Sequence, residues 1–331
     1  MRIRCTAAGL LACAAGLGAA HCLPGPDPAH CEAPRGDVVD PCAEPAPGGG
    51  ALPGIPDPGE VPAGSVGDDG GRVERLWFAS TGDTRPGFCD RTDDYPSAAI
   101  GQISRAMKAL RVQFALDLGD HMYVCNQSLL EAQTQMRLYM GAVAQGPPVW
   151  WMTMGNHECG SQSPPYSCFA GRGDANFTAY MAALRRPLPY YFTDVQTSLG
   201  KARFVVIADD SWDAAQADWL ESTLAAADAS ARYTIVARHH PITGSSTGNP
   251  RIVQAIARHK YSLILTAHSH LYAHDAVAFG GRSAIVGLGG ASATVPPGFA
   301  TVLQGADGSL TFVRRDANGN PIDVPWTVAP Q

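Results

Sequence analysis

VQFALDLGDHMY, Val112 to Tyr123, is the most telling stretch of the chain. Its first seven residues are a short apolar run of strand character. Its last five, Gly119 to Tyr123, put a carboxylate, an imidazole and a phenol directly behind that run. In α/β folds the chemistry sits just past the C-terminal ends of strands. The arrangement recurs four times. RLWFAS precedes GDTR (Gly82 to Arg85), PVWWMTM precedes GNHE (Gly155 to Glu158), YTIV runs into VARHHP (Val236 to Pro241), and SLILT precedes AHSH (Ala267 to His270). Every motif supplies atoms that bind metal ions: carboxylate, phenol, amide oxygen or imidazole. One such motif is weak evidence; five in sequence describe a two-metal site.

The motifs follow the order GDxG, GDxxY, GNH[ED], VxxH and GHxH. On that order the chain resembles the calcineurin-like metallophosphoesterases, and within them it is most similar to the purple acid phosphatases. The likeness runs from about Val73 to Arg315, with two departures: Arg85 and Ala267 stand where the family has Gly. The resemblance implies an α/β fold, a sandwich of two packed mixed β-sheets flanked by helices. Strand and helix patterns alone give only their alternation.

Carried over motif by motif, the family implies that Asp83, Asp120, Tyr123 and His270 hold one metal and Asp120, Asn156, His239 and His268 a second, with Asp120 bridging. One carboxylate spans ions about 3.5–4 Å apart. Many relatives place a ligand His two residues after the first Asp. Arg85 fills that position here and cannot bind a cation, while Tyr123 offers a hard phenolate oxygen that suits Fe(III). The expected cofactors are therefore Fe(III) plus a divalent Fe, Zn or Mn ion. His239 is preferred to its neighbour His240 because it completes VxxH. The implied reaction is hydrolysis of a small-molecule phosphomonoester by a metal-bound hydroxide. Asp120 and His157 are the candidate catalytic residues; His157 would protonate the leaving group or hold phosphate, with Glu158 in support. Arg85, His240 and His274 are further candidates for substrate contact. A phosphodiesterase on the same fold is the alternative. A silent surface binding protein is a third reading, but the ligand set lacks no member.

The chain has 331 residues, 45% hydrophobic and 16% charged, with formal net charge −6. That composition is globular, and no basic patch speaks for nucleic acid. Residues 1–20 read as a signal peptide: Arg2 and Arg4, then an uncharged small-residue stretch ending Gly-Ala-Ala, too short and Ala/Gly-rich for an integral membrane span. The expected location is secreted, periplasmic or cell-surface, with a lipid anchor at Cys13 as a minority reading. Residues 21–71 form a Pro/Gly-rich linker with three cysteines, and 72–331 the catalytic domain. Beyond the signal lie Cys22, Cys31, Cys42, Cys89, Cys125, Cys159 and Cys168. Export favours disulfides, with Cys159–Cys168 and Cys89–Cys125 as preferred pairs among three connectivities.

Four helices are expected. Ser97 to Arg111 carries apolar residues at helical spacing, and Ser128 to Glu131 is a capping box for a helix burying Leu129, Met136, Met140 and Val143. Asp213 to Ala227 turns Trp219, Leu220 and Leu224 inward, and Asn249-Pro250 opens the fourth. Ala202 to Ala208, Ser283 to Leu288 and Ala300 to Leu303 read as strands. The loops Cys159 to Asn176 and Thr243 to Asn249 are expected to rim the site.

Overall fold

In a computed structural model, which describes residues 62–159, 174–243, 247–275, 278–291 and 294–330, each apolar run ahead of a motif is a buried strand. The order begins with β1 (Gly64–Gly67), β2 (Gly70–Val73), β3 (Trp77–Thr81), α1 (Ser97–Ala109), β4 (Phe114–Asp117), α2 (Leu129–Val143) and β5 (Trp150–Met152). It continues through α3 (Ala175–Leu184), β6 (Tyr191–Thr197), β7 (Gly200–Val206), α4 (Ala214–Ser230), β8 (Tyr233–Ala237), α5 (Pro250–Ala257) and β9 (Leu263–Thr266). It closes with β10 (Tyr272–Asp275), β11 (Ser283–Val286), β12 (Gly298–Gln304), β13 (Leu310–Asp316) and β14 (Trp326–Val328).

Two mixed sheets result. One has the order β1-β2-β6-β7-β8-β9-β11-β10, the other β14-β13-β12-β3-β4-β5. The motif-bearing strands lie in their parallel parts: β3, β4 and β5 at one end of the six-stranded sheet, and β8 and β9 between β7 and β11 in the other. Parallel strands need both faces covered, so they are apolar throughout rather than alternating. Between the sheets, Phe78 stacks on Phe114 with centroids 5.2 Å apart, and Phe204 from the other sheet meets both edge-on. On the outer faces, Ile103 and Met107 of α1 cover Trp77 and Ala115, while Leu220, Leu224, Ile252 and Ile256 of α4 and α5 cover Val205, Val236 and Ile264. This is the expected sandwich.

Differences from expectation are local. The β1–β2 hairpin pairs with β6, so ordered sheet begins at Gly64, inside the stretch expected as linker. Leu129 and Met140 are exposed; α2 instead buries Ala132, Gln135, Met136, Tyr139, Ala142 and Val143. Gln135 displaces an apolar side chain because its Oε1 accepts the Tyr123 amide at 2.8 Å. The Ser128 side chain caps α2 through the Glu131 amide, but the Glu131 carboxylate turns to Thr92 and Asn126. Trp219 is only partly buried. Helix α3 was not expected. Cys89 and Cys125 form a disulfide with Cα atoms 5.6 Å apart. The Cys168 half of the other pair, the signal segment, the three cysteines of residues 21–61, most of the Cys159 to Asn176 loop and residues 244–246 of the other rim loop lie outside the described residues. No helix among the described residues is long and apolar enough to cross a membrane.

Candidate metal centre

The strand ends of both sheets meet at one edge, and tight turns there aim the motif side chains inward. Four of the expected ligands adopt left-handed backbone: Asp83 (φ 61°), Asp120 (φ 62°), His268 (φ 68°) and His270 (φ 48°). Such conformations cost of order 1 kcal/mol or more for a residue with a Cβ, and they concentrate where geometry serves function. The strand ladder continues into the turns: Leu118 donates to Thr81 O at 2.8 Å and Asp83 donates to Gly119 O at 2.9 Å. Gly155 is required because a Cβ there would collide with the Asp120 carboxylate and amide. Ala267, the second departure from the family pattern, fits because Gly82 lies opposite its methyl group.

One cluster joins Asn156, His239, His268 and Asp120. Asn156 Oδ1 lies 3.1 Å from His239 Nε2 and 2.9 Å from His268 Nδ1, the two nitrogens are 3.2 Å apart, and Asp120 Oδ1 is 3.4 Å from His239 Nε2. Ligands bound at about 2.0–2.2 Å are separated by roughly 3.0–3.4 Å around an ion, so these donors already have coordination spacing. The other nitrogen of His239, Nδ1, donates to Leu118 O at 2.7 Å, which leaves Nε2 as the nitrogen where a metal ion would replace a proton. Burial opposes a charged ring at His239, but the Asp120 carboxylate outweighs it and raises the group to about 10. The site is built for positive charge. Burial, with His239 and His240 adding to it, drives His268 down to about 2 and keeps it a neutral ligand.

The second cluster joins Asp83, Asp120 and His270. Both carboxylate oxygens of Asp83 are buried with no hydrogen-bond partner, and burial raises the group to about 7. Unpartnered buried carboxylate oxygens are costly unless a cation answers them. His270 Nε2 lies 3.5 Å from Asp83 Oδ1, and Asp83, Asp120 and His239 each bring a donor atom within 4.8 Å of the others. The residues therefore fit two metal ions. Arg85 reaches into this cluster, with Nε 3.3 Å from Asp120 Oδ2 and Nη2 3.2 Å from His270 Nε2. Tyr123 lies beside it: its ring is 4.0 Å from the His157 ring and 4.5 Å below the Arg85 guanidinium.

His157 donates its amide to Asp120 Oδ1 at 3.0 Å, and its Nε2 stands 3.7 Å from Asp120 Oδ2. Burial pushes its ring down to about 4. Glu158 was expected to support that ring; instead it holds the loops, accepting the amides of Gly155 (2.6 Å), Asp120 (3.0 Å) and His121 (2.6 Å). Two motifs are thus pinned by one carboxylate. His121 was missed by sequence reasoning. Fully buried, it bridges Asp117 (3.1 Å) and Glu158 (3.3 Å); burial opposes its charge, but the two carboxylates outweigh it and raise the ring to about 10. Its signal was an imidazole in GDHMY at none of the family's ligand positions, four residues after an Asp at the strand end. Gly287 was missed too: a Cβ there would strike Asp83 Oδ2 and approach His270.

His240 pairs with Asp210 at 3.0 Å and donates its amide to Asp209 at 3.1 Å, while its ring lies 4.3 Å from that of His268. It braces the ligand loop. The structure does not bring His274 to the cluster; its exposed side chain stacks on Trp326 at 5.0 Å and ties β10 to β14 of the other sheet.

Fold and site together define a two-sheet α/β protein with a two-metal ligand set where the strands end. The family model for calcineurin-like phosphoesterases matches residues 77–272, more than half of the chain, and the chain belongs to that family. Its members depend on dinuclear metal. Among solved structures, purple acid phosphatase PPD1 from yellow lupin (Lupinus luteus) is similar at 16% identity and TM-score 0.57, over 78% of this chain and 56% of that one. The match thus spans little more than half of the lupin enzyme. A dimetal phosphatase from Danio rerio is similar at 13% identity and TM-score 0.52, over 77% of this chain and 99% of that one. These are likenesses of fold. No curated protein sequence matches the chain.

Proposed function

We propose that this chain is an exported phosphomonoesterase with a purple-acid-phosphatase-like centre: Fe(III) at Asp83, Asp120, Tyr123 and His270, and divalent Fe, Zn or Mn at Asp120, Asn156, His239 and His268. The observation that carries this reading is the Asp120 carboxylate. Its Oδ1 faces His239 and its Oδ2 faces the Arg85–His270 side, one oxygen toward each cluster. Tyr123 at the GDxxY position, with Arg85 where relatives carry a ligand His, supports iron over a purely divalent pair.

When bound, the two metal ions supply Lewis-acid charge for the phosphate oxygens and an activated water nucleophile. The chain's own residues do the rest. Asp120 holds both clusters in register, and the strained turns and Glu158 fix its carboxylate. His157 lies next to the bridge and hands a proton to the departing alkoxide. A phosphate dianion arriving beside it raises its affinity for that proton from the low value that burial imposes. Export rests on residues 1–20 and is in keeping with the Cys89–Cys125 disulfide.

Iron-replete, oxidised protein is the test. A phenolate on Fe(III) gives a visible charge-transfer band, so the protein should be pink to violet and Tyr123→Phe should bleach it. It should hydrolyse an aryl phosphate faster than the corresponding aryl phosphodiester. Colourless protein with two bound irons would remove Tyr123 from the ligand set, and a preference for the diester would make the chain a phosphodiesterase.

A further inference from the structure

Arg85 is the one residue of the five motifs whose charge is wrong for its place. The first motif ends Asp83-Thr84-Arg85, and the side chain folds back over its own ligand loop rather than out to solvent; only 8% of the residue is exposed. Nε donates to Asp120 Oδ2 at 3.3 Å, Nη2 meets His270 Nε2 at 3.2 Å, and Nη1 donates to Pro86 O at 2.9 Å. The guanidinium therefore spans Asp120 and His270, two of the residues around which the first ion would be held. Asn156, His239 and His268 face one another instead, with spacings of 2.9–3.2 Å that the guanidinium does not enter.

We propose that Arg85 is a tethered cation that competes with the first metal ion, so that the two sites load in order, the His239 set first and the Asp83 set only when the guanidinium swings aside. The inference rests on the metal-centre reading above. Its physical basis is exclusion. An arginine is charged at every accessible pH, and His270 Nε2 has a single lone pair, which a guanidinium N–H 3.2 Å away and a metal ion cannot both take; at Asp120 Oδ2 the two cations would also repel. The Tyr123 ring, 4.5 Å from the guanidinium carbon, gives the displaced side chain a π-face to lean on without leaving the site. Swung aside, the side chain keeps a use at a phosphate site, since Arg is the residue type that grips phosphate bidentately. Metal loading and substrate contact would thus be two positions of one side chain.

Zn2+ alone is titrated by calorimetry into chelator-stripped full-length wild type, Arg85→Met and Arg85→Lys, with circular dichroism to show that each is folded. Wild type should bind one ion tightly and a second more weakly. Releasing contacts of this charge-assisted kind should tighten the second step by about tenfold or more in Arg85→Met, and leave the first step unchanged. Arg85→Lys, which keeps the charge but loses the fork, should fall between. A second step as weak in Arg85→Met as in wild type, or two steps of identical affinity in wild type, would overturn the competition while leaving the metal centre intact. Absence of Zn2+ binding in every protein, Arg85→Met included, would overturn the metal-centre reading and this proposal with it.

Discussion

Asp83 shows at the scale of one residue how the site is set against the stability of the chain. Both its oxygens are buried and unpartnered, and burial raises it to about 7 from the ordinary 3.8. Below about pH 3.8 the group is protonated in folded and unfolded chains alike and costs nothing. As pH rises from there to about 7, the unfolded chain ionises and the folded one does not, so stability drains away, by on the order of 4 kcal/mol in total. In metal-stripped protein, Asp83→Asn should therefore be more stable than wild type above about pH 7 and no more stable below about pH 4. Urea unfolding across that range reads it, and parallel pH profiles for the two proteins would contradict the assignment. Asp83 was legible as a candidate ligand because the carboxylate ends a GD turn after an apolar strand. Its lack of partners was not, since a sequence does not say which donors stay out of reach.

The decisive elements are the strand-to-loop turns, and each is braced from behind. The VARHHP turn is held by Arg238, fully buried, whose Nε donates to Asp209 Oδ2 at 3.1 Å and whose Nη2 lies 2.9 Å from Asp209 Oδ1 and 2.8 Å from Thr247 O. Breaking a buried pair by removing one partner strands the other charge, so Arg238→Met should cost about 3–5 kcal/mol of unfolding free energy. The double change with Asp209→Asn should recover part of it. A loss no larger than that of a surface substitution would show that the pair does not hold the turn. Strand and helix existence was readable here from apolar period and caps: Asp213 and Asn249 do cap α4 and α5. What the period missed were the elements whose partners lie far along the chain. The β1–β2 hairpin is glycine-rich and polar, and becomes a strand pair only because β6 offers it an edge. Leu129 and Met140 failed as core residues because α2 gives its inner face to Gln135 and Tyr139, which anchor ligand loops through Tyr123 and Asp117.

For the whole molecule, the centre joins the two sheets. Asp83, Asp120 and Asn156 follow strands of one, and His239 and His268 follow strands of the other. An ion held between them binds only the folded chain. At a thousand times its Kd it adds about 4 kcal/mol, and at about 2 °C or more per kcal/mol a chelator should lower the melting temperature by roughly 8 °C or more. Restoring metal should restore the transition; an unchanged Tm after complete chelation would mean that the sheets meet without help from ions. The fold family, the candidate ligand types and their order were legible in the chain, because each candidate is local to its own strand end and its residue type and spacing are printed there. What acts across distance was set by tertiary packing. It placed Arg85 on Asp120 and His270, took Glu158 from His157 to the backbone of two loops, made His121 a buried cation between Asp117 and Glu158, and carried His274 away to Trp326. Those partners come from separate motifs or separate sheets, and long-range packing leaves no periodic trace in a sequence.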